Sequence, residues 1–218
     1  MDKKDLIAHS PVRYFDVTNA GLKDGEMGLI TAKKGLGKTS VLVQFGIDSL
    51  LNDKALVHVS FDQKSSNVIA WYSSVMAEIA KKKNFNISDL EEDIVRNRTI
   101  LNFNQETFTL PKVVNTLKAL KEGGIKLDCV VVDGLDLAKT SADDLKCFAN
   151  FIKSQKMNAW FSFTNDASDL KGTLDSAKLD SFATVAHLAN DSNTLSLSIL
   201  KNGEGKVRLD AKTLLMSK

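Results

Sequence analysis

Residues 27–39 run Met-Gly-Leu-Ile-Thr-Ala-Lys-Lys-Gly-Leu-Gly-Lys-Thr. An apolar strand, Met27–Thr31, passes through a turn rich in glycine and lysine into a helix that starts near Lys38 and carries Val41, Leu42, Phe45 and Leu50. The order of elements constrains the fold more than the letters do. A turn that leaves a strand and enters a helix aims several backbone N–H groups, and the positive end of the helix dipole, at one point. Gly35 and Gly37 keep Cβ atoms out of the way of phosphate oxygens. Lys38 is placed to reach β- and γ-phosphates, and the Thr39 hydroxyl to hold Mg²⁺. The expected nucleotide contacts are therefore Lys33, Lys34, Gly35, Leu36, Gly37, Lys38, Thr39 and Ser40, with Ala32 where the first glycine of the pattern usually stands.

A chain of 218 residues accommodates one α/β domain built around such a unit. Its 43% hydrophobic and 26% charged content is that of a globular protein. A net charge of +2 gives no argument for nucleic acid or an anionic membrane as partner. No apolar run approaches the roughly 18–20 residues of a membrane span, and the start, Met-Asp-Lys-Lys-Asp, lacks a secretory core. The expected compartment is the cytoplasm, with Cys129 and Cys147 both reduced and in the core.

Periodicity gives alternating strands and helices, hence a mostly parallel twisted sheet flanked by helices. After the first strand and helix come a buried strand, Ala55–Phe61, and a helix over Val68–Lys81 with Ile69, Tyr72, Val75, Met76 and Ile79 on one side. Asn84–Arg98 is polar, with Ile87, Leu90 and Ile94 spaced for a short helix; a lid or partner surface is expected over 84–98. Thr99–Phe103 reads as a strand. Pro111 opens a helix with Val113, Val114, Leu117 and Leu120 on its apolar face, which Gly123 and Gly124 stop. Cys129–Val132 is the most apolar strand. Ser141 is placed to cap the next helix, and Ala159–Thr164 follows as a strand. Thr194–Leu200 and Lys206–Leu209 flank Gly203-Glu204-Gly205 and read as a C-terminal antiparallel hairpin. The whole of 1–218 is expected to be a single nucleotide-binding domain, residues 1–14 forming an N-terminal extension.

Val130-Val131-Val132 closes on Asp133, at the strand end where ligands bind in open α/β sheets. A carboxylate there can orient Mg²⁺ against Thr39. Hydrolysis also needs a group that orients or deprotonates water. Asp62 and Gln63, after the strand at 55–61, are the candidates; Asp is a methylene shorter than Glu, and Gln cannot take a proton. Asp62 also suits a cap on the following turn. Thr164 and Asn165, at another strand end, are placed to sense a γ-phosphate. Lys81-Lys82-Lys83 favours the negative end of its helix. No aromatic stripe interleaves with lysines to stack bases, and His9, His58 and His187 show no metal spacing, so they read as structural. Trp71 and Trp160 read as packing residues.

From about Phe15 to Leu209 these residues resemble the RecA-fold P-loop ATPases, in particular their single-domain KaiC-like members. Phe15-Asp16-Val17-Thr18-Asn19-Ala20-Gly21-Leu22 with Lys23-Asp24-Gly25-Glu26 is similar to the family's lead-in to the loop strand. The loop and the strand ending in Asp133 are similar to its two nucleotide motifs. Phe182–Ala189, Thr194–Leu200 and Lys201-Asn202-Gly203 are similar to its ending. The resemblance implies ATP and Mg²⁺ as ligands, ADP as product, and a homo-oligomer or protein partner. The family's catalytic Glu is matched by Asp62 or Gln63. Its hairpin Lys-x-Arg, which reaches a neighbouring subunit's phosphate, is matched by Lys201 alone, since Gly203 stands in the arginine's place. The resemblance and these two departures together imply an ATP-binding regulatory or assembly factor with weak or partner-stimulated hydrolysis. Lys33 ahead of the loop and Asp62-Gln63 are also similar to segments of the MinD/ParA positioning ATPases, which would dimerise on ATP through Lys33. Lys34 in place of glycine and 31 residues ahead of the loop depart from that pattern. A DNA-dependent recombination or helicase-type ATPase is the third reading, and would require a basic, aromatic DNA-binding loop that the sequence lacks.

Overall fold

A computed structural model of the chain describes residues 3–61, 63–83, 92, 94–170, 172–192 and 194–218. Two short helices, α1 (Lys3–Ala8) and α2 (Arg13–Asp16), precede β1 (Met27–Ala32) and α3 (Lys38–Leu51). Then come β2 (Leu56–Phe61), α4 (Ser65–Lys83), β3 (Arg98–Phe103), α5 (Leu110–Glu122), β4 (Cys129–Asp133), α6 (Ala142–Ser154), β5 (Asn158–Thr164) and α7 (Ser176–Asp180). The chain closes with β6 (Thr184–Asp191), β7 (Thr194–Lys201), β8 (Lys206–Leu209) and β9 (Met216–Ser217).

Among the described residues these strands form one nine-stranded sheet in the order β3-β2-β4-β5-β1-β6-β7-β8-β9. The six strands from β3 to β6 run parallel, and β7, β8 and β9 join antiparallel. The expected architecture, a mostly parallel sheet with a C-terminal hairpin, is the observed one. Parallel pairing brings the carboxyl ends of β1, β2, β4 and β5 to one edge, where the phosphate loop also lies. β5 separates the loop strand β1 from the Asp133 strand β4, so any contact between the two motifs crosses it.

Two apolar layers cover the sheet, and both derive from runs of Val, Ile, Leu and Phe that alternate sides along the strands. The layer between sheet and α5/α6 takes Val57, Val59, Val130, Val132 and Phe161. The other takes Leu56, Val131, Trp160 and Ala186, with α3 at its centre. Residues Ser40 to Ile47 of α3 are all buried, so this helix is enclosed on every side rather than amphipathic. Phe45 stacks on Trp160 at 4.2 Å between centroids, and Phe15 meets both rings edge-on. Arg13 of α2 pairs with Asp48 of α3.

Local signals act as expected at several places. Pro111 lies in the first turn of α5, and Ser141 Oγ accepts the Asp144 N–H at 3.0 Å at the start of α6. Two expectations need correction. Ile69 is exposed: the buried stripe of α4 is Val68, Tyr72, Val75, Met76 and Ile79, because Val68 lies one turn before Tyr72 and covers the same face. Cys129 is buried, but Cys147 is exposed, since it falls off the Leu145–Phe148–Ile152 face of α6. Both cysteines are free thiols. The elements α1, α2 and β9 carry too few residues for periodicity to register. Of the helix expected over 84–98, Ile87 and Leu90 lie outside the described residues; Ile94 is buried, and residues 94–96 are helical. Trp71 is partly buried against the α3 layer. No helix among the described residues is long and apolar enough to cross a membrane.

Candidate nucleotide site

The loop leaves β1 at the fully buried Ala32 and enters α3 at Lys38. Gly35 has φ +84° and Gly37 +105°, left-handed values that glycine takes without steric cost. Among the described residues nothing lies within 4 Å of where a Cβ on Gly35 would stand. Among the described residues no side chain caps α3: its first-turn N–H groups, orphaned by helix geometry, remain available to an anion. Lys33, Lys34 and Gly35 are exposed, Leu36, Gly37, Lys38 and Thr39 half-buried, and Ser40 buried. Ser40 Oγ has no hydrogen-bond partner among the described residues.

Lys38 folds back over the turn, its Nζ donating to Ala32 O at 3.1 Å and to Lys33 O at 3.3 Å. Burial lowers its pKa, and the carboxylates of Asp133 and Asp166 oppose that shift. Asp166, on the loop after β5, gave no sequence signal; it acts on Lys38 only because β5 lies beside β1.

Thr39 Oγ1 donates to Asp133 Oδ2 at 2.7 Å, across 94 positions of sequence. The two residues expected to share Mg²⁺ are thus together. Ser162 of β5 holds the other oxygen, donating to Oδ1 at 2.5 Å while its own oxygen accepts the Gly134 N–H at 2.9 Å. Gln63 Nε2 stands 3.5 Å from Asp133 Oδ2, at the outer limit of a hydrogen bond. Asp62 lies outside the described residues. Thr164 is exposed at the end of β5. Asn165 is committed elsewhere: its amide donates to Ala167 O and Asp169 O and accepts from Thr173 Oγ1. Those bonds tie down the 165–173 loop and leave Asn165 no free group to read a phosphate.

Lys201 is not at this edge. β7 runs antiparallel to β6, so Lys201 pairs with Val185 at the amino end of the sheet, and its Nζ donates to Leu179 O at 3.1 Å. Beyond it the hairpin tip folds onto the chain's own lead-in. A Cβ on Gly203, whose φ is +144°, would stand 2.5 Å from Thr18 O and 3.1 Å from Ala20 Cβ. Glu204 N donates to Thr18 O at 3.3 Å, and Thr184 Oγ1 donates to Ala20 O at 2.8 Å.

The histidines near the site are packing groups. His187 Nδ1 lies 2.9 Å from Thr31 Oγ1 and joins β6 to β1; burial lowers its pKa, with Lys38 adding to that shift. His58 Nδ1 lies 3.1 Å from the Tyr72 hydroxyl, over whose ring Arg98 stands at 4.5 Å.

Donor chemistry fits a nucleotide with a hard cation. Among the described residues no group of three or more His, Cys, Asp or Glu could hold a metal, so an ion here would take oxygens from Thr39, Asp133, phosphate and water. The turn, the uncapped amides and Lys38 have the chemistry that an anion site needs. Residues 8–173 match the family described as ATPase: KaiC. No curated protein matches the chain.

Proposed function

The chain belongs to the KaiC family of ATPases, and on that footing we propose that it is a cytoplasmic regulatory or assembly factor that associates with its partner according to the nucleotide it holds, with weak or partner-stimulated hydrolysis. As a P-loop ATPase domain it binds nucleotide. The loop amides of 33–40 and Lys38 bind the β- and γ-phosphates. Thr39 and Asp133 would hold Mg²⁺, which supplies positive charge against the phosphoryl oxygens. Gln63 is placed to orient a water near Asp133, but its amide cannot remove a proton; Asp62 is the carboxylate proposed for that step, a side chain shorter than the family's Glu. Weak general-base catalysis of this kind leaves binding intact and turnover slow.

The observation that carries the reading is the packing of Gly203. An arginine at that position would collide with the Thr18 carbonyl, so of the family's Lys-x-Arg pair this chain keeps Lys201 alone. Lys201 stands at the end of the sheet away from its own loop, which favours a role toward another subunit's phosphate, reached once its Nζ leaves Leu179 O. All of 1–218 acts as one unit, with 84–98 as a lid or partner surface.

Measuring particle size with ADP, ATP and a non-hydrolysable analogue, with phosphate release followed in parallel, tests the proposal. The expected result is a nucleotide-dependent change in size with slow release. Fast turnover by the isolated protein, or a size indifferent to nucleotide, would overturn it.

A further inference from the structure

Gln44 lies a turn and a half into α3, with its side chain buried. Its Nε2 donates to Leu214 O at 2.9 Å and to Ser40 O at 3.2 Å, and its Oε1 accepts the Met216 N–H at 2.8 Å. A buried amide from the phosphate-loop helix is thus satisfied by the last turn of the chain, across 170 and 172 positions of sequence. Leaving that amide unpaired would be costly, so helix and turn hold each other.

The turn is built to be held. Asp210 Oδ1 accepts the N–H groups of Lys212 and Thr213, at 3.0 and 2.9 Å. Leu214 N donates to Asp210 O at 2.8 Å, and Asp210 N to Leu215 O at 2.9 Å. Lys82 of α4 pairs with Asp210 at 3.5 Å. Leu215 and Met216 are buried. Leu214 itself has φ +58°, a conformation a branched side chain adopts only when its surroundings impose it. The result is a contact with the loop: Leu214 Cδ1 stands 3.1 Å from where a Cβ on Gly37 would be. Gly37 is the left-handed residue that starts α3 and aims its free amides. The family match ends at residue 173, so the turn lies outside the segment it covers.

We propose that the C-terminal turn, residues 210–216, positions the phosphate loop: Leu214 is a positioning residue that braces Gly37, and Gln44 locks the turn in place. Bracing keeps the loop in its binding-competent form, so losing the brace raises the apparent Kd by the reciprocal of the fraction of loops that remain competent. Linkage makes the effect reciprocal, and nucleotide in the loop must tighten the turn. The brace rests on nucleotide occupying this loop and is independent of what the protein regulates.

The test uses the full chain with Mg-ATP. Leu214→Ala should weaken ATP binding by roughly tenfold, while Leu214→Met, which refills the contact, should restore it. In the unaltered protein, Mg-ATP should slow hydrogen exchange at the Met216 amide, and Lys38→Ala should abolish that slowing. A merely structural contact would lower the melting temperature of Leu214→Ala and leave the ATP affinity of the folded protein unchanged, which would overturn the proposal. Should Leu214→Ala not fold, the exchange measurement decides: no ATP effect at Met216 overturns the proposal. An unaltered chain that binds no nucleotide overturns this inference together with the ATP-binding assignment, whereas normal binding with an indifferent turn overturns this inference alone.

Discussion

Ser162 fixes the carboxylate of Asp133 from the strand that separates it from the phosphate loop: Oγ donates to Oδ1 at 2.5 Å, leaving Oδ2 facing Thr39 at 2.7 Å. One hydroxyl therefore sets which oxygen of Asp133 is presented toward Thr39. A hydrogen bond to a charged group contributes about 1.5–3 kcal/mol. Ser162→Ala should weaken Mg²⁺-dependent ATP binding by roughly tenfold or more, with binding in the presence of a chelator little changed. Nucleotide titrations with and without Mg²⁺ would show the split; equal losses in both would contradict it.

Lys38 lies over the turn, whereas Lys33 is exposed to solvent. Lys38→Ala should abolish nucleotide binding, whereas Lys33→Ala should change it less than about threefold, because an exposed cation is screened by water and salt. Calorimetric titration of both variants distinguishes them. Loss of an ATP-dependent dimer in Lys33→Ala would favour the MinD/ParA-like alternative.

Gly203 has no room for a side chain against Thr18 O, and its φ suits only glycine. Gly203→Ala should lower stability by roughly 2–3 kcal/mol, from backbone strain and overpacking together. Gly203→Arg, which would restore the Lys-x-Arg spacing, should destabilise at least as much and give no gain in phosphate release. Denaturant unfolding and phosphate release on the same preparations would test both.

His58 is fully buried beside Tyr72, with Asp133 and Arg98 close enough to act on its charge; burial pushes its imidazole down to about 4. The folded chain thus refuses a proton that the unfolded chain takes up below about pH 6.5. The stability associated with neutral His58 is whole above that pH, declines as pH falls, and is lost below about 4, a change on the order of 3 kcal/mol. Urea midpoints between pH 7 and pH 4 should fall for the unaltered chain, and His58→Gln should flatten much of that slope.

The sequence made the site's ends legible and left its middle hidden. Lys38, Thr39 and Asp133 lie in motifs whose chemistry follows from residue type and neighbouring periodicity. Ser162 sits in Ala-Trp-Phe-Ser-Phe-Thr, where a serine looks like any small residue in a buried strand. Its role depends on β5 lying between β1 and β4, and strand order does not follow from periodicity. Cys147 shows a smaller failure of the same kind, since one step around a helix separates core from solvent. Leu214 was beyond reach because β9 has two residues and the turn before it is held by a residue of α3. Asn165 had the right place and the wrong commitments, which only the 165–173 loop reveals.

The enclosure of α3 makes the binding helix and the core the same object. The loop leads straight into Val43, Phe45 and Ile47, which are buried in the core. Ligand held only by the folded state stabilises it by RT ln(1 + [L]/Kd), which keeps growing after the site is full, so nucleotide should raise the stability of the whole fold and not of the loop alone. Resistance of the purified chain to proteolysis should then rise with the concentration of nucleotide.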